Sequence, residues 1–399
     1  MTLAAPALPL RRWPVITALG IVQIFAWGSS YYLMAPLAGP IVADTGWPLP
    51  WVIGALSFGL LVAGLASPRV GTAIARHGGR PVLAGGMMLL SAGLLVLAAA
   101  PNLPVFCLGW VIIGLGMSAG LYDPAFATLG RLYGRDARSA ITALTLWGGF
   151  ASAVCWPISA WAVGQFGWRG TAAGYGLLHL TICLPLIWRM IPQEMKGPPM
   201  GKGQATAQIA LSRPERRSFR ILTRIFTLAA IIAAVVSVHL LTLLEARGVS
   251  TAAAVAMGAL IGPAQVASRL VETASGGKHH PRWTLLMAAV LFTAGVALLA
   301  SGFGFSGLAL MLYGGGNGLF SIARGALPMA LFGPDRYPAL MGRMARPALT
   351  AQAAAPVAGA FAIQFLGANT VLFLLMVLAG SALVLAISVA VAVSVVRPG

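Results

Sequence analysis

Apolar residues run along this chain in blocks of about 20, separated by short breaks rich in Gly, Pro, Arg and Asp. As a helix, such a block crosses the roughly 30 Å hydrocarbon core of a bilayer. A transmembrane barrel would instead show short alternating segments. Blocks and breakers predict spans near 14–36, 50–68, 81–100, 104–128, 139–163, 170–190, 221–244, 251–270, 283–302, 306–331, 344–366 and 369–393. The pattern therefore predicts an all-α membrane protein of about twelve transmembrane helices. The first block follows Arg11 and Arg12 as a signal peptide would. It is too long for one and lacks a small-residue cleavage site, so it reads as the first span.

One break differs from the others. From about Pro192 to Arg220 the chain is rich in Pro, Gly and basic residues, midway along its length. This predicts a bundle at 1–190, a linker at 191–220 and a second bundle at 221–399. Internal repetition points the same way. Leu132-Tyr133-Gly134-Arg135-Asp136 is echoed about 200 residues later by Leu331-Phe332-Gly333-Pro334-Asp335. Arg69 and Arg269 each follow the second span of their half, and Pro81 and Pro281 each open the third. Such duplicated halves are frequent among transporters.

Composition agrees with burial in lipid: 59% of residues are hydrophobic and 9% charged, against roughly 25% charged in a soluble domain. The formal charge of +18 would suggest nucleic acid if the basic residues formed one patch, but they sort by membrane side. Nearly all flank span 1 or follow even-numbered spans, and the opposite side holds only Arg169 and Arg247. The positive-inside rule then puts both termini in the cytoplasm, with no nucleic-acid partner. Short loops and a compact chain point to a bacterial inner membrane. Cys107, Cys155 and Cys183 all lie in apolar runs and read as packing residues, so no metal or cofactor is expected.

The loop Gly71-Thr72-Ala73-Ile74-Ala75-Arg76-His77-Gly78-Gly79-Arg80 resembles the G-x-x-x-D-[RK]-x-G-[RK]-[RK] signature of the major facilitator superfamily. Ala75 stands where that signature has Asp. Gly114-Leu115-Gly116 resembles the glycine pair of the family's span-4 motif, with Trp110 in place of its Arg, and span 5 offers Trp156-Pro157 where many drug antiporters have Gly-Pro. The resemblance implies two pseudo-symmetric six-helix bundles rocking about a central site, and a gating loop that includes Gly71, Arg76, Gly78 and Arg80.

Ionisable residues within a span cost roughly 2.5–3.5 kcal/mol on insertion scales and mark candidate chemistry. Arg324 lies inside span 10 on a polar stripe with Tyr313, Asn317 and Ser321. Asp123 is the acid well inside a span, and the repeat sets it at the depth of Arg324 in the opposite half. Three readings stay open: Arg324 binds an anionic substrate while Asp123 carries a proton or balances the Arg in one conformation, the two form a fixed salt bridge, or Asp123 lies low enough to join the cytoplasmic charges with Arg131. Span 7 adds His239 and, near its outer end, Glu245 as proton candidates. Gln23, Trp27 and Tyr31 share one face of span 1, and Gln352 in span 11 is a fainter candidate of the same kind.

There is no P-loop, paired-Cys motif or H-E-x-x-H, so neither an enzyme nor an ATP-binding subunit is expected. The sequence predicts a secondary transporter that moves a small molecule, an organic anion, together with H⁺ by alternating access. The alternatives are broad drug or metabolite efflux by proton antiport and, in another class, a non-transporting membrane sensor.

Overall fold

The computed structural model describes residues 12–193, 210–275 and 279–395. Most of the expected linker, with Lys196 and Lys202, lies outside them, as do Arg11, Lys278 and Arg397. Among the described residues there is no strand, and nine helices are long and apolar enough to span a membrane. Two of these, Ala137–Met190 and Ser306–Leu366, are too long for one crossing. Each turns back at a glycine, Gly167 (φ 66°) and Gly333 (φ 74°), in backbone that an L side chain rarely adopts. The reversals are visible in bonds: Tyr175 reaches back to the hydroxyl of Ser159 at 2.8 Å, and Tyr337 donates to the Gly325 carbonyl at 2.7 Å. Span 1 is the interrupted pair Arg12–Gly28 and Met34–Thr45.

The repeat is written in the backbone as well. Positive-φ glycines close corresponding connections in the two halves: Gly46 and Gly248 after the first span, Gly134 and Gly333 after the fourth, Gly167 and Gly367 after the fifth. Buried apolar side chains form two clusters. One runs from Val15 to Ile191 and takes in Met329, Tyr337 and Met341, and the other runs from Leu222 to Val389. Arg169 and Arg247, the two basic residues set apart by the sorting of charges, do the same job in each half. Arg169 donates to the carbonyls of Ala98 and Ala100, and Arg247 to that of Ala300, where a cation meets the negative end of the third span.

The spans run further toward the basic face than hydropathy predicts. Span 2 is helical over Leu49–His77, span 8 continues through Ile261–Ala274, and span 11 begins directly after Gly333. The stretch read as a gating loop is therefore mostly helix: Gly71 and Arg76 belong to span 2, and the turn itself is Gly78, with φ 83°. Arg80 opens span 3 and stacks its guanidinium on Trp188, 4.4 Å from the ring centre.

On the basic face the halves meet backbone to backbone. A methyl on Gly71 would strike the carbonyl of Pro338, and one on Gly342 the carbonyl of Ser67. A second link joins spans 5 and 8: Arg138 of the first half pairs at 3.2 Å with buried Glu272 of the second, which also accepts from Thr284 at 2.7 Å. His279 contacts the same carboxylate at 3.2 Å.

Candidate functional site

Spans 1, 4, 5 and 8 are each interrupted, and in spans 1 and 4 the reason is legible in the residues. Pro124 has no N–H and its ring crowds the carbonyl four residues back, that of Gly120, so span 4 divides into Leu103–Gly120 and Tyr122–Tyr133. Gln23, fully buried, donates Nε2 to the orphaned Gly120 carbonyl at 2.7 Å. In span 1, Pro36 leaves the Tyr32 carbonyl without its donor, and Trp156 Nε1 supplies one at 3.3 Å. Broken helices of this kind are sustained only where neighbouring groups satisfy the backbone.

The break in span 4 places Asp123 in the first turn of a new helix, where the positive helix end favours a carboxylate. Arg324 of span 10 meets it fork to fork, Nε to Oδ1 at 3.0 Å and Nη2 to Oδ2 at 2.7 Å. The geometry is bidentate, the arrangement in which a guanidinium binds a carboxylate most tightly. The pair thus links the two halves in the lining of a cavity of about 230 Å³.

That cavity is built from both halves. Trp27, Tyr31 and Tyr122 form one wall, with Trp27 edge-on to Tyr31 at 5.6 Å and Tyr122 stacked on Phe126 at 5.1 Å. Gln23 accepts from Trp27 Nε1 at 3.1 Å and so fixes the indole. Phe226, Gln265, Asn317, Ser321 and Gln352 face them from the second half, and Gln352 donates to the Tyr31 hydroxyl at 3.3 Å.

The cavity holds one further charge, which sorting basic residues by side had assigned to the cytoplasmic flank. Arg269 is 5% exposed and lines the cavity from span 8. Its Nη1 donates to the Thr145 carbonyl at 3.0 Å and its Nε to the Gly318 carbonyl at 3.4 Å. Among the described residues no carboxylate pairs with it. Thr145 lies in the last turns of Ala137–Gly149, so the guanidinium rests on the negative end of a half-helix from the opposite bundle. With Asp123 and Arg324 balanced against each other, the cavity carries one net positive charge. The stripe Gln265, Arg269, Glu272, at the same helical spacing that singled out span 10, was the available signal.

Several expected site residues lie elsewhere. Tyr313 is buried against Phe292, 4.9 Å between ring centres, and does not line the cavity. Gln23 supports the wall from behind rather than lining it. His239 bonds the Pro356 carbonyl at 2.8 Å between spans 7 and 11, and Glu245 accepts from Thr251 at 2.6 Å at the far end of span 7. Neither reaches the Asp123–Arg324 pair. Asn317, Ser321, Trp27 and Tyr31 are where the helical spacing put them.

An all-helical membrane fold, broken spans about a central charged cavity and a repeated half are the architecture of a family of membrane transporters. The chain belongs to the major facilitator superfamily, whose family model matches residues 19–278. A curated relative is the human monocarboxylate transporter 11, 32% identical over 187 residues; the match spans 45% of this chain and only 36% of that protein. Among solved structures, the human organic anion transporter MFSD10 (TETRAN) superposes with a TM-score of 0.76 at 16% identity, covering 94% of this chain and 99% of that one. The transporter FucP, in its outward conformation, superposes with a TM-score of 0.73 at 14% identity over 93% and 97% of the two chains. The proton:xylose symporter XylE gives 0.66 at 14% identity, with 94% of each chain covered. At these identities the solved structures speak for the fold.

Proposed function

We propose that this transporter carries a small monovalent organic anion, foremost a carboxylate, held by Arg269, and that the Asp123–Arg324 pair is where a proton couples to its movement. The observation that carries the reading is Arg269: a buried guanidinium facing a cavity with two carbonyl partners and, among the described residues, no carboxylate paired with it. A buried cation without an anion is costly, and a carboxylate entering from the cavity supplies the missing charge through charge-assisted hydrogen bonds. The aromatic wall of Trp27, Tyr31 and Tyr122 suits the apolar body of such an anion. A lipophilic cation, the cargo of the efflux reading, meets the wrong sign. The names of two similar proteins, a monocarboxylate transporter and an organic anion transporter, run in the same direction.

Arg324 then acts as a partner in exchange rather than as the first anion site. A proton on Asp123 loosens its grip on Arg324 and lets the two halves separate or re-pair. With the basic face cytoplasmic, as the positive-inside rule has it, the seam of Gly71 and Gly342 closes the inner side and the cavity faces outward.

The test is ligand-dependent stability followed by flux. Matched panels of organic anions and cations are added to purified protein, since a ligand at 100 times its Kd stabilises by about 2.7 kcal/mol. Anions are expected to raise the melting midpoint of the wild type and not of Arg269→Gln. The best of them should then enter proteoliposomes at a rate that falls roughly 100-fold in the variant, as loss of a charge-assisted contact of about 3 kcal/mol implies. Cation-induced shifts that survive Arg269→Gln would overturn the anion reading in favour of efflux.

A further inference from the structure

A second concentration of charge lies away from the transport cavity, on the basic face. Arg69, Arg76 and His77 at the end of span 2 and Arg343 and Arg346 at the start of span 11 surround a cleft of about 770 Å³. No acidic residue lines it. Among the described residues none of these four arginines has an ion pair, whereas neighbouring basic residues of the same face are engaged: Arg12 with Asp136, Arg138 with Glu272, and Arg336 with Glu215. Four like charges held around one cleft repel one another, and an anion placed among them relieves that repulsion.

The shape of the surroundings narrows the chemistry. The cleft also includes Leu65 and Pro68, and on span 2 the exposed side chains just deeper than Arg69 are apolar: Leu65, Leu61 and Phe58. On span 11 the large exposed apolar side chains, Val357 and Phe361, begin about three helical turns beyond Arg346. A charged mouth continuing into two exposed apolar stripes fits a molecule with an anionic head and hydrocarbon tails.

We infer that this cleft binds the headgroup of an anionic phospholipid, with Arg69 and Arg76 of one half and Arg343 and Arg346 of the other sharing one phosphate region. Spans 2 and 11 belong to opposite halves and touch backbone to backbone here, so the lipid bridges the seam and favours the form closed on the basic face. Basic pockets between spans on the cytoplasmic side are suited to such headgroups. The inference does not depend on which solute the central cavity carries, and its test involves no transport.

The full chain is reconstituted with equal amounts of phosphatidylglycerol and phosphatidylcholine, purified in mild detergent, and its retained lipids are counted by native mass spectrometry. Wild type is expected to retain phosphatidylglycerol at least tenfold over phosphatidylcholine. R69Q/R76Q and R343Q/R346Q, made separately so that one folded variant suffices, should each bring the ratio below about threefold. Arg213→Gln/Arg217→Gln, exposed on the same face but outside the cleft, should leave it unchanged. Equal retention of the two lipids, or a ratio that the cleft variants do not move, overturns the proposal. Displacement of the retained phosphatidylglycerol by millimolar glycerol phosphate or inorganic phosphate also overturns it, in favour of a soluble phosphate compound.

Discussion

The two sides of the central cavity handle the same residue in opposite ways. On the side of spans 4 and 10, Arg324 is matched by Asp123 in a bidentate pair with both atoms of its fork used. On the side of spans 5 and 8, Arg269 is more deeply buried and is held only by main-chain carbonyls. The first arrangement is electrically closed and stabilises by joining the halves; the second is open and stabilises only when something negative arrives. A transport site needs both, because one must hold the protein together while the other senses cargo.

The largest expected effect comes from opening the closed side. Arg324→Ala leaves a partly buried carboxylate without its partner and should destabilise the protein by about 3–5 kcal/mol, measured by denaturation in detergent. Asp123→Asn/Arg324→Gln, which removes both charges, should recover most of that loss. If the double variant is as unstable as the single one, the pair is not the closed unit described above.

The next effect concerns the wall. Gln23→Leu removes the donor that satisfies the Gly120 carbonyl at the break in span 4, and an unsatisfied buried group costs about 1–3 kcal/mol. The same change frees the Trp27 indole, so anion affinity should weaken along with stability. Unchanged affinity would mean that the indole is fixed by its aromatic neighbours alone.

Gly149→Ala tests the open side gently. Its added methyl meets Arg269 Nη1, the far end of a flexible side chain. The guanidinium should shift rather than the backbone, weakening anion binding about tenfold, or roughly 1.4 kcal/mol, with little change in the melting midpoint. A large loss of stability with normal binding would reverse the assignment.

A copy of the closed pair on the basic face provides the smallest effect. Arg336 grips Glu215 bidentately at 2.6 and 3.2 Å, and this, helped by the Ser212 cap, holds the Glu215 carboxyl down at about 2 from its ordinary 4.5. A depressed carboxyl contributes stability that is complete above the unfolded value and is lost as pH falls from about 4.5 through about 2. Water screens this pair, so the contribution should be no more than about 1 kcal/mol. Arg336→Gln should lower the melting midpoint slightly at pH 7, and the difference from wild type should shrink on acidification through that window.

What the sequence revealed and what it concealed have physical causes. Hydropathy marks the spans because lipid demands long apolar runs, and the internal repeat alone sets Asp123 at the depth of Arg324. It concealed Arg269 because sorting cations by membrane side treats an arginine near a helix end as a flank. Only the extension of span 8 to Ala274 and the contact with Thr145 show that it points inward. Tyr313 shared a helical face with Asn317, yet one turn further along the span that face leaves the cavity and packs on Phe292. His239 and Glu245 are polar for local reasons, a carbonyl and a hydroxyl, that no spacing rule separates from proton transfer. The breaks in spans 1 and 4 were written in Pro36 and Pro124, but the donors that make them tolerable, Trp156 and Gln23, come from distant parts of the chain or from another helix.

The glycine seam between spans 2 and 11 makes the transporter sensitive to a single carbon atom. Because main chain rests on main chain at Gly71 and Gly342, no side chain can swing aside to absorb an added methyl, and the helices themselves must part. Alanine at either position acts as a wedge driven into one end of a rocker. It would tilt the resting equilibrium toward the opposite opening without touching a charge or a cargo contact, and so give a way to hold the protein in the conformation its own sequence disfavours.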